Sequence, residues 1–412
     1  MLPTEARSGA WRMALALTAL NTLSYVDRQL VVTLAPLLMA DLGLTRAQIG
    51  LLVGASFIAV HGVLILALGV AADRLPRPRL IAAGLLVWSL ATLLTGSARN
   101  LFHLAALRLA VGAGEAVLPA TALAMLGDRF PAARLGFANS VFYAGIPVGF
   151  AISFGLAGWL GPWLGWRVCF LVLGTLGLVA VAGALAMRDP ARRGSAPVPA
   201  RPRDVASAVG RAFAQRPGLP LLILAGSLLA FMSSSSQHAI TWLVQERGLP
   251  YARAAFLAGV MVALGGLVGS VAIGAFADRW RRRGPGGRLG GLVAVGAIAL
   301  PSSAAFYLLP AASPAFIPCW FVSQTFMLGW FGPVTAEMVE QAPPELSASV
   351  TGTGLLLVNL LGVATGPWVT GMIGDQAGLT RGLLVSLAVG GLGIATLALA
   401  AARRTQGLRL AT

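Results

Sequence analysis

Nearly the whole chain is made of apolar runs long enough to cross a lipid bilayer, each bounded by Gly, Pro or Arg. A helix needs about 20 apolar residues to span the hydrocarbon core. Lipid offers the backbone no hydrogen-bond partner, so each run must be a helix or part of a closed barrel. Barrel strands alternate in hydrophobicity over about ten residues, and these runs are longer and more uniform. The pattern predicts an all-α membrane protein.

Twelve runs can be placed, which predicts twelve transmembrane helices. They cover roughly residues 11–39, 47–72, 79–98, 101–127, 135–160, 166–187, 219–244, 254–277, 288–309, 315–336, 348–373 and 381–402. Only 11% of the residues are charged and 57% are hydrophobic. A soluble domain carries about 25% charged residues, so the composition also indicates that most side chains face lipid or a helical core.

The segment 188–217, rich in Pro and Arg, divides the chain into two halves of six runs. We therefore predict an N-terminal six-helix bundle (1–187), a cytoplasmic linker (188–217) and a C-terminal six-helix bundle (218–412). The halves repeat a motif at an offset of 205 residues: Gly69-Val-Ala-Ala-Asp73-Arg74 ends the second run and Gly274-Ala-Phe-Ala-Asp278-Arg279 ends the eighth. Such parallel repeats are common in transporters and predict two pseudo-symmetric bundles.

The net charge of +16 is a signal of membrane topology. Arginine and lysine are concentrated in the cytoplasmic loops of membrane proteins. If both termini are inside, the opposite side holds few arginines: Arg46, Arg99, Arg167, Arg247, Arg253 and Arg381. We predict a multi-pass protein of the cell inner (plasma) membrane with both termini cytoplasmic, and no nucleic-acid partner.

The repeated motifs resemble those of the major facilitator superfamily. The cytoplasmic loop motif of that family is matched by GVAADRLPRPR (69–79) and GAFADRWRRR (274–283). The fourth run carries Arg108-x-x-x-Gly112-x-Gly114-Glu115, similar to the family's span-four motif, and the fifth carries Gly145-Ile-Pro147-Val-Gly149, similar to the Gly-Pro motif of its exchangers. The resemblance implies two six-helix bundles around a central cavity and transport by alternating access. It also implies that the two Asp-Arg motifs latch the halves together; their candidate gating residues are Gly69, Asp73, Arg74, Gly274, Asp278 and Arg279.

Three segments are similar to the Spinster group of sphingolipid and lysolipid transporters and its bacterial relatives. They are Tyr25-Val-Asp27-Arg28, Val111-Gly-Ala-Gly-Glu115-Ala116 and Phe142-Tyr-Ala-Gly-Ile-Pro147-Val-Gly149. This narrower resemblance implies a lysolipid-like substrate.

Four ionisable residues lie inside the predicted spans: Asp27, Arg28, Arg108 and Glu115. Charges at this depth are costly and usually functional. Asp27 and Glu115 lie near mid-depth of the first and fourth spans, which favours a proton-coupling pair opposed by the two arginines. Arg108 and Glu115 are about 10 Å apart in height on one helix face, so we expect no direct bond between them. The alternative is a neutralised network that only holds the fold.

Other in-span residues are candidates for substrate contact or for helix bending. The former are polar or aromatic: Tyr25, Tyr143, Gln237, His238 and Asn359. The latter are the close-packing glycines and the prolines that free backbone carbonyls: Gly145, Pro147, Gly149 and Pro367.

The sequence contains no GxxxxGK[ST] phosphate loop, no HExxH zinc motif and no nucleophile with a base, so we expect no enzyme activity, cofactor or metal. The interpretation is a monomeric secondary active transporter, coupled to protons, of an amphipathic or anionic small molecule, with a lysolipid as one candidate. Its partners would be this substrate, protons and the lipid bilayer. A multidrug or organic-anion/carboxylate transporter of the same superfamily is one alternative, and a non-transporting membrane receptor or scaffold is the other.

Overall fold

The computed structural model describes the backbone of residues 4–190, 202–284, 286–343 and 346–411. Within these ranges the described side chains exclude those of 4–8, 65–67, 69–70, 73–74, 132–133, 202–206, 283, 348 and 404–411. The described residues form helices and turns without a strand, as the sequence predicts. The chain divides into two compact units.

Unit 1 comprises Met1–Leu44, Ser56–Ala196 and Leu249–Gly259. Its helices are α1 (Thr4–Thr33), α2 (Ala35–Leu42), α4 (Ala55–Arg74), α5 (Arg77–Thr95), α6 (Leu101–Glu115), α7 (Val117–Arg129), α8 (Ala132–Tyr143) and α9 (Gly145–Ala186). Helix α9 packs on α1 and α5, and the core contains the fully buried rings of Trp88 and Phe142.

Unit 2 comprises Thr45–Ala55, Pro197–Gly248 and Val260–Thr412. Its helices include α3 (Arg46–Val53), α10 (Pro202–Gln215), α11 (Gly218–Ser235), α12 (Ala239–Gln245), α14 (Gly274–Arg283), α15 (Gly287–Leu308), α16 (Phe316–Gly329), α17 (Phe331–Gln341), α18 (Ser347–Val358), α19 (Gly366–Ala377) and α20 (Leu379–Ala411). Helix α10 lies in the predicted linker and buries Val209 and Ala212 against residues of unit 2. Helix α13 (Tyr251–Val268) begins in unit 1 and continues into unit 2.

Each unit contains a short segment from the opposite half of the sequence. Helix α3 belongs to unit 2, where an added Cβ on Gly50 would lie 2.2 Å from the Pro367 carbonyl oxygen, which shows how closely α3 and α19 approach. The first part of α13 belongs to unit 1, where the Tyr251 hydroxyl donates to the Thr33 carbonyl over 3.0 Å. The two segments occupy equivalent positions in the repeat. The predicted domain boundaries at 187 and 218 stay a prediction.

Nine helical segments of the described chain are long and apolar enough to cross a membrane. One of them, Arg134–Ala186, contains two predicted spans, because Gly165 at φ 76° interrupts the helix between them. The first and tenth predicted spans correspond to the helix pairs α1–α2 and α16–α17. Large apolar side chains such as Phe102, Trp159 and Trp163 remain more than two-thirds exposed (77%, 72% and 82%), as expected for surfaces that face lipid.

Candidate functional site

Asp27 and Arg28 lie next to each other on α1 and therefore face different neighbours, since successive helical residues are about 100° apart around the axis. Asp27 faces Thr92 of α5, whose hydroxyl donates to one carboxylate oxygen. Its other oxygen lies 3.4 Å from Nη1 of Arg108 on α6. The Nε of Arg28 donates to Oε2 of Glu115, at the end of α6, over 2.6 Å.

The result is a cluster of two ion pairs, Asp27–Arg108 and Arg28–Glu115, which we name the charge quartet. Its two positive and two negative charges sum to zero. The prediction that Arg108 and Glu115 are not bonded to each other agrees with this geometry, because each is paired with a residue of α1.

Aromatic rings fill the space around the two guanidinium groups. The Cζ of Arg28 lies 4.7 Å from the ring centroids of both Tyr25 and Phe57, and the Cζ of Arg108 lies 5.2 Å from that of Phe57. The ring of His61 stacks on Phe57 at 5.0 Å. A cation over an aromatic face is stabilised by the ring's quadrupole, so Phe57 supports both arginines at once.

Glycines of the span-four motif bring α6 close to its neighbours. An added Cβ on Gly112 would lie 2.9 Å from the Phe57 carbonyl oxygen, and one on Gly114 would lie 2.6 Å from that of Gly84. Larger residues at these positions would push α6 away from α4 and α5. The close approach places Arg108 and Glu115 within reach of α1.

The members of the quartet differ in exposure. Asp27 and Arg108 are each 2% exposed and Glu115 is 0% exposed, whereas the Arg28 side chain keeps 19%. Among the described residues, Oε1 of Glu115 and Nε of Arg108 have no hydrogen-bond partner. Arg28 is thus the accessible member, and it is paired with the most deeply buried one.

Two predicted substrate residues of unit 1 lie on different helices, Tyr25 on α1 and Tyr143 on α8. Tyr25 packs against Phe150, with ring centroids 6.0 Å apart, as well as beside Arg28. Tyr143 ends α8 and is 46% exposed. The helix is interrupted at Ala144, three residues before Pro147, whose ring is incompatible with a regular helix at the preceding turn.

The predicted substrate residues of the second half lie in unit 2. His238 is 1% exposed, and its Nε2 lies 2.7 Å from the Pro367 carbonyl oxygen at the start of α19. Asn359 begins a π-helical turn, 359–363, and donates to the Leu355 carbonyl oxygen over 2.8 Å. Gln237 is partly buried in the short 3₁₀ turn before α12. These contacts account for His238 and Asn359 within the fold, and their role toward a substrate stays a prediction.

The second copy of the predicted gating motif makes contacts inside unit 2. Asp278 is exposed and accepts a 2.8 Å hydrogen bond from Nε of Arg288, whose Nη1 also donates to Glu340 over 3.0 Å. Arg279 is exposed, and Gly274 begins α14. The side chains of the first copy, Gly69, Asp73 and Arg74, lie outside the described ones.

The sequence did not predict an ion pair near the first gating motif or its counterpart in the repeat. Arg77, buried at the start of α5, pairs with Asp128 at 2.5 Å. Arg288, near the start of α15, faces the buried Glu337 at 3.8 Å in the equivalent place. The sequence does contain a signal for these pairs, because an acidic residue lies near the end of the fourth span in each half. Thr92 and Phe57 were also missed, and one hydroxyl or one ring in an apolar run carries no such signal.

The sequence matches the family model described as "Major Facilitator Superfamily" over residues 17–367. The chain belongs to the Major Facilitator Superfamily. An "MFS-type efflux pump" of Mycolicibacterium smegmatis is 28% identical over 406 residues, covering 97% of this chain and 91% of the relative. "Protein spinster homolog 1" of Homo sapiens is 27% identical over 383 residues, covering 87% of this chain and 71% of the relative.

The fold is also similar to that of a solved structure. A crystal structure of a bacterial homolog to the human lysosomal transporter Spinster, in an inward-facing and unoccupied conformation, superposes with a TM-score of 0.85. The two chains are 23% identical, and the match covers 96% of this chain and 97% of the other. The predicted twelve-helix superfamily fold and the Spinster resemblance are confirmed. The protein is a multi-pass membrane transporter of a small molecule, with the family and fold of transporters and not of enzymes.

Proposed function

We propose that this superfamily member is a secondary active transporter that couples the binding of an anionic, amphipathic small molecule to the binding of a proton. The observation that carries the proposal is the Arg28–Glu115 pair, in which a partly exposed guanidinium neutralises a carboxylate that is 0% exposed. A ligand that reaches one partner must change the charge state of the other.

The substrate step takes place at Arg28. A guanidinium forms strong, directional hydrogen bonds to carboxylate or phosphate oxygens, and Arg28 is the accessible member of the quartet. The rings of Tyr25 and Phe57 beside it offer apolar contacts. A charged head on an apolar body satisfies both features, so we infer an amphipathic anion.

The proton step takes place at Glu115. When an anion draws Arg28 away, Glu115 becomes a buried carboxylate without its cation, and an uncompensated buried charge costs several kcal/mol. Proton uptake from solvent removes that charge. Because binding linkage is reciprocal, the substrate must then bind more tightly where protons are more abundant.

The other ion pair has a different part in this proposal. Asp27 keeps both Arg108 and Thr92 while Arg28 is engaged, so it balances the buried Arg108. It becomes a second proton acceptor when the substrate also reaches Arg108. We retain both carboxylates as coupling residues and assign the first proton to Glu115.

The sequence-based assignments of gate and orientation belong to the same proposal. The Asp73 and Asp278 motifs would hold the cytoplasmic side closed during part of the cycle, and bends at Pro147 and Pro367 would allow helices to move. The membrane would be the cell inner membrane, with both termini in the cytoplasm.

A lysolipid is one substrate that fits, since it joins an anionic phosphate to an acyl chain, and the likeness to a human Spinster homolog supports it. An aromatic carboxylate or another organic anion satisfies the same chemistry. The similarity to an efflux pump supports a drug substrate, but the paired arginines of the quartet favour an anion.

The test is transport by the purified protein in liposomes under an imposed pH gradient. The panel is a lysophospholipid, an aromatic carboxylate and a cationic amphiphile. We expect an anion to accumulate on the alkaline side and a protonophore to abolish the accumulation. Accumulation of the cation alone, or accumulation that the protonophore leaves intact, would contradict the proposal. Failure to move either anion in the panel would contradict the proposed substrate class.

A further inference from the structure

A groove of about 810 Å³ lies in unit 1 between the beginning of α1 and the ends of α7 and α9. Three arginines from these distant parts of the sequence line it: Arg12, Arg129 and Arg188. The Arg129 guanidinium reaches α1, because an added Cβ on Gly9 would lie 3.4 Å from its Nη2. The groove is unrelated to the charge quartet, none of whose members lines it.

The three arginines lie at one membrane level. Arg129 ends the candidate span Leu101–Arg129, and Arg188 follows the end of Arg134–Ala186 by two residues. Arg12 is at the start of the first predicted span. All three positions are on the same side of the bilayer in the twelve-span topology. This level is where lipid headgroups lie.

The groove also has an apolar wall that continues toward lipid. Met13 and Met187 line it. Outside the groove lining, Leu15 on α1 and Leu185 on α9, each two residues from one of these methionines in the sequence, are 59% and 57% exposed. A ligand with its charge against the arginines can therefore extend an acyl chain along the exposed surface of these helices.

We propose that this groove binds the phosphate of an anionic phospholipid headgroup. Basic pockets between transmembrane helices are suited to such headgroups, and the planar guanidinium matches phosphate geometry. Arg12 and Arg188 form no ion pair with a carboxylate among the described residues. Asp189, the one acid among the described residues that line the groove, accepts a 3.1 Å hydrogen bond from the Arg77 backbone N–H.

The charge and the apolar wall of the groove favour a phospholipid over two other occupants, the linker of this chain and a free phosphate ion. The sequence that follows Pro190 contains Arg192 and Arg193, so charge does not favour the linker in a groove lined by arginines. A free phosphate ion would satisfy the arginines but would leave the apolar wall in water.

The experiment measures lipid binding to the purified, full-length protein by native mass spectrometry. The probes are phosphatidylglycerol and phosphatidylcholine with identical acyl chains, with inorganic phosphate as a competitor. We expect preferential binding of phosphatidylglycerol, and an affinity lower by about tenfold in R12Q/R188Q, because each basic residue near a membrane surface attracts anionic lipid. The variant R12K/R188K, which keeps the charges, should retain most of the binding.

The matched control is R99Q/R253Q, which removes two exposed arginines from the opposite predicted side and should bind phosphatidylglycerol as the parent does. Equal binding of both lipids to the parent would overturn the proposal, as would equal losses in R12Q/R188Q and the control. Full displacement of the lipid by millimolar inorganic phosphate would identify the groove as a site for the free ion. Thermal unfolding of each variant tests whether altered binding is caused by loss of the fold.

Discussion

Arg28 of α1 and Glu115 of α6 are 87 positions apart in the sequence and are joined by a 2.6 Å hydrogen bond. The arginine keeps 19% of its side chain exposed and the glutamate keeps none. This asymmetry assigns different consequences to the two ends of the pair. In the proposed cycle, a ligand competes for the arginine and a proton then binds the glutamate.

The substitution Glu115→Gln should separate transport from its driving force. Glutamine is neutral and takes up no proton, so we expect no accumulation under a pH gradient but continued exchange of substrate across the membrane. The protein should still fold, because the unpaired Arg28 is partly exposed. Liposome uptake with and without a pH gradient measures this difference.

The variant to compare with Glu115→Gln is Asp27→Asn. It deprives the buried Arg108 of its only carboxylate partner among the described residues. Leaving a buried charge unpaired costs about 3–5 kcal/mol, so this variant should lose thermal stability as well as activity. Gradient-driven accumulation by Glu115→Gln at the parent's level would place coupling elsewhere.

Packing of α9 against α1 makes Gly149 intolerant of a side chain. An added Cβ there would lie 2.7 Å from both the Thr22 carbonyl oxygen and the Tyr25 Cβ. We expect Gly149→Ala to destabilise the protein by about 1–3 kcal/mol through overpacking. On the same helix Gly155 has open space at its Cβ, and Gly155→Ala should be neutral or stabilising, since alanine favours the helix. Thermal unfolding in detergent compares the two, and equal melting temperatures would contradict the packing described.

Two arginines that bind the same carboxylate should differ in their contribution to stability. Arg288 has a 7% exposed side chain and lies near Asp278, Glu337 and Glu340, whereas Arg281 is 46% exposed and pairs with Glu340. Arg288→Gln removes the charge near the fully buried Glu337 and should cost about 3–5 kcal/mol. Arg281→Gln breaks an exposed pair and should cost less than about 1 kcal/mol. Chemical unfolding measures the free energy of unfolding that each variant loses. A larger loss in Arg281→Gln than in Arg288→Gln would contradict this prediction.

Stability should depend on Glu246 at acidic pH. This residue follows the candidate span Gly218–Gln245. Burial raises the pKa of its carboxyl, but hydrogen bonds from Thr380 and Leu379 and the charge of Arg46 outweigh burial and hold that pKa below its ordinary value of 4.5. With a folded-state pKa below the unfolded one, the contribution is present above about pH 4.5 and is lost as the pH falls through the folded-state pKa.

The variant Glu246→Gln should accordingly melt at a lower temperature than the parent at neutral pH. The difference should shrink as the pH falls below the ordinary pKa of the carboxyl. Melting curves between neutral pH and about pH 3.5 test this, within the range where carboxylates titrate. A difference that is constant across the range would show that the charge of Glu246 contributes nothing.

The sequence predicts the helices well because membrane spans are determined by length and hydrophobicity, which are local properties. It also places Asp27 and Glu115 at similar depth. It does not predict that Arg28 binds Glu115 while Arg108 binds Asp27, because partner choice depends on how α1 and α6 are rotated about their axes. That rotation depends on contacts such as those of Gly112 with Phe57. The inclusion of α3 in unit 2 is likewise a property of tertiary packing.

The placement of α3 bears on what a divided gene would produce. Helix α3 is encoded in the first half, but Asp375 of the second half accepts the backbone N–H groups of Arg46 and Ala47 over 2.9 Å each. An added Cβ on Gly54 would lie 2.6 Å from the Ala364 carbonyl oxygen. A fragment that begins after the linker would therefore expose the bare surface of α19 to lipid and leave the Asp375 carboxylate without these donors. Co-expression of a fragment that contains α3 would supply these contacts to the second fragment.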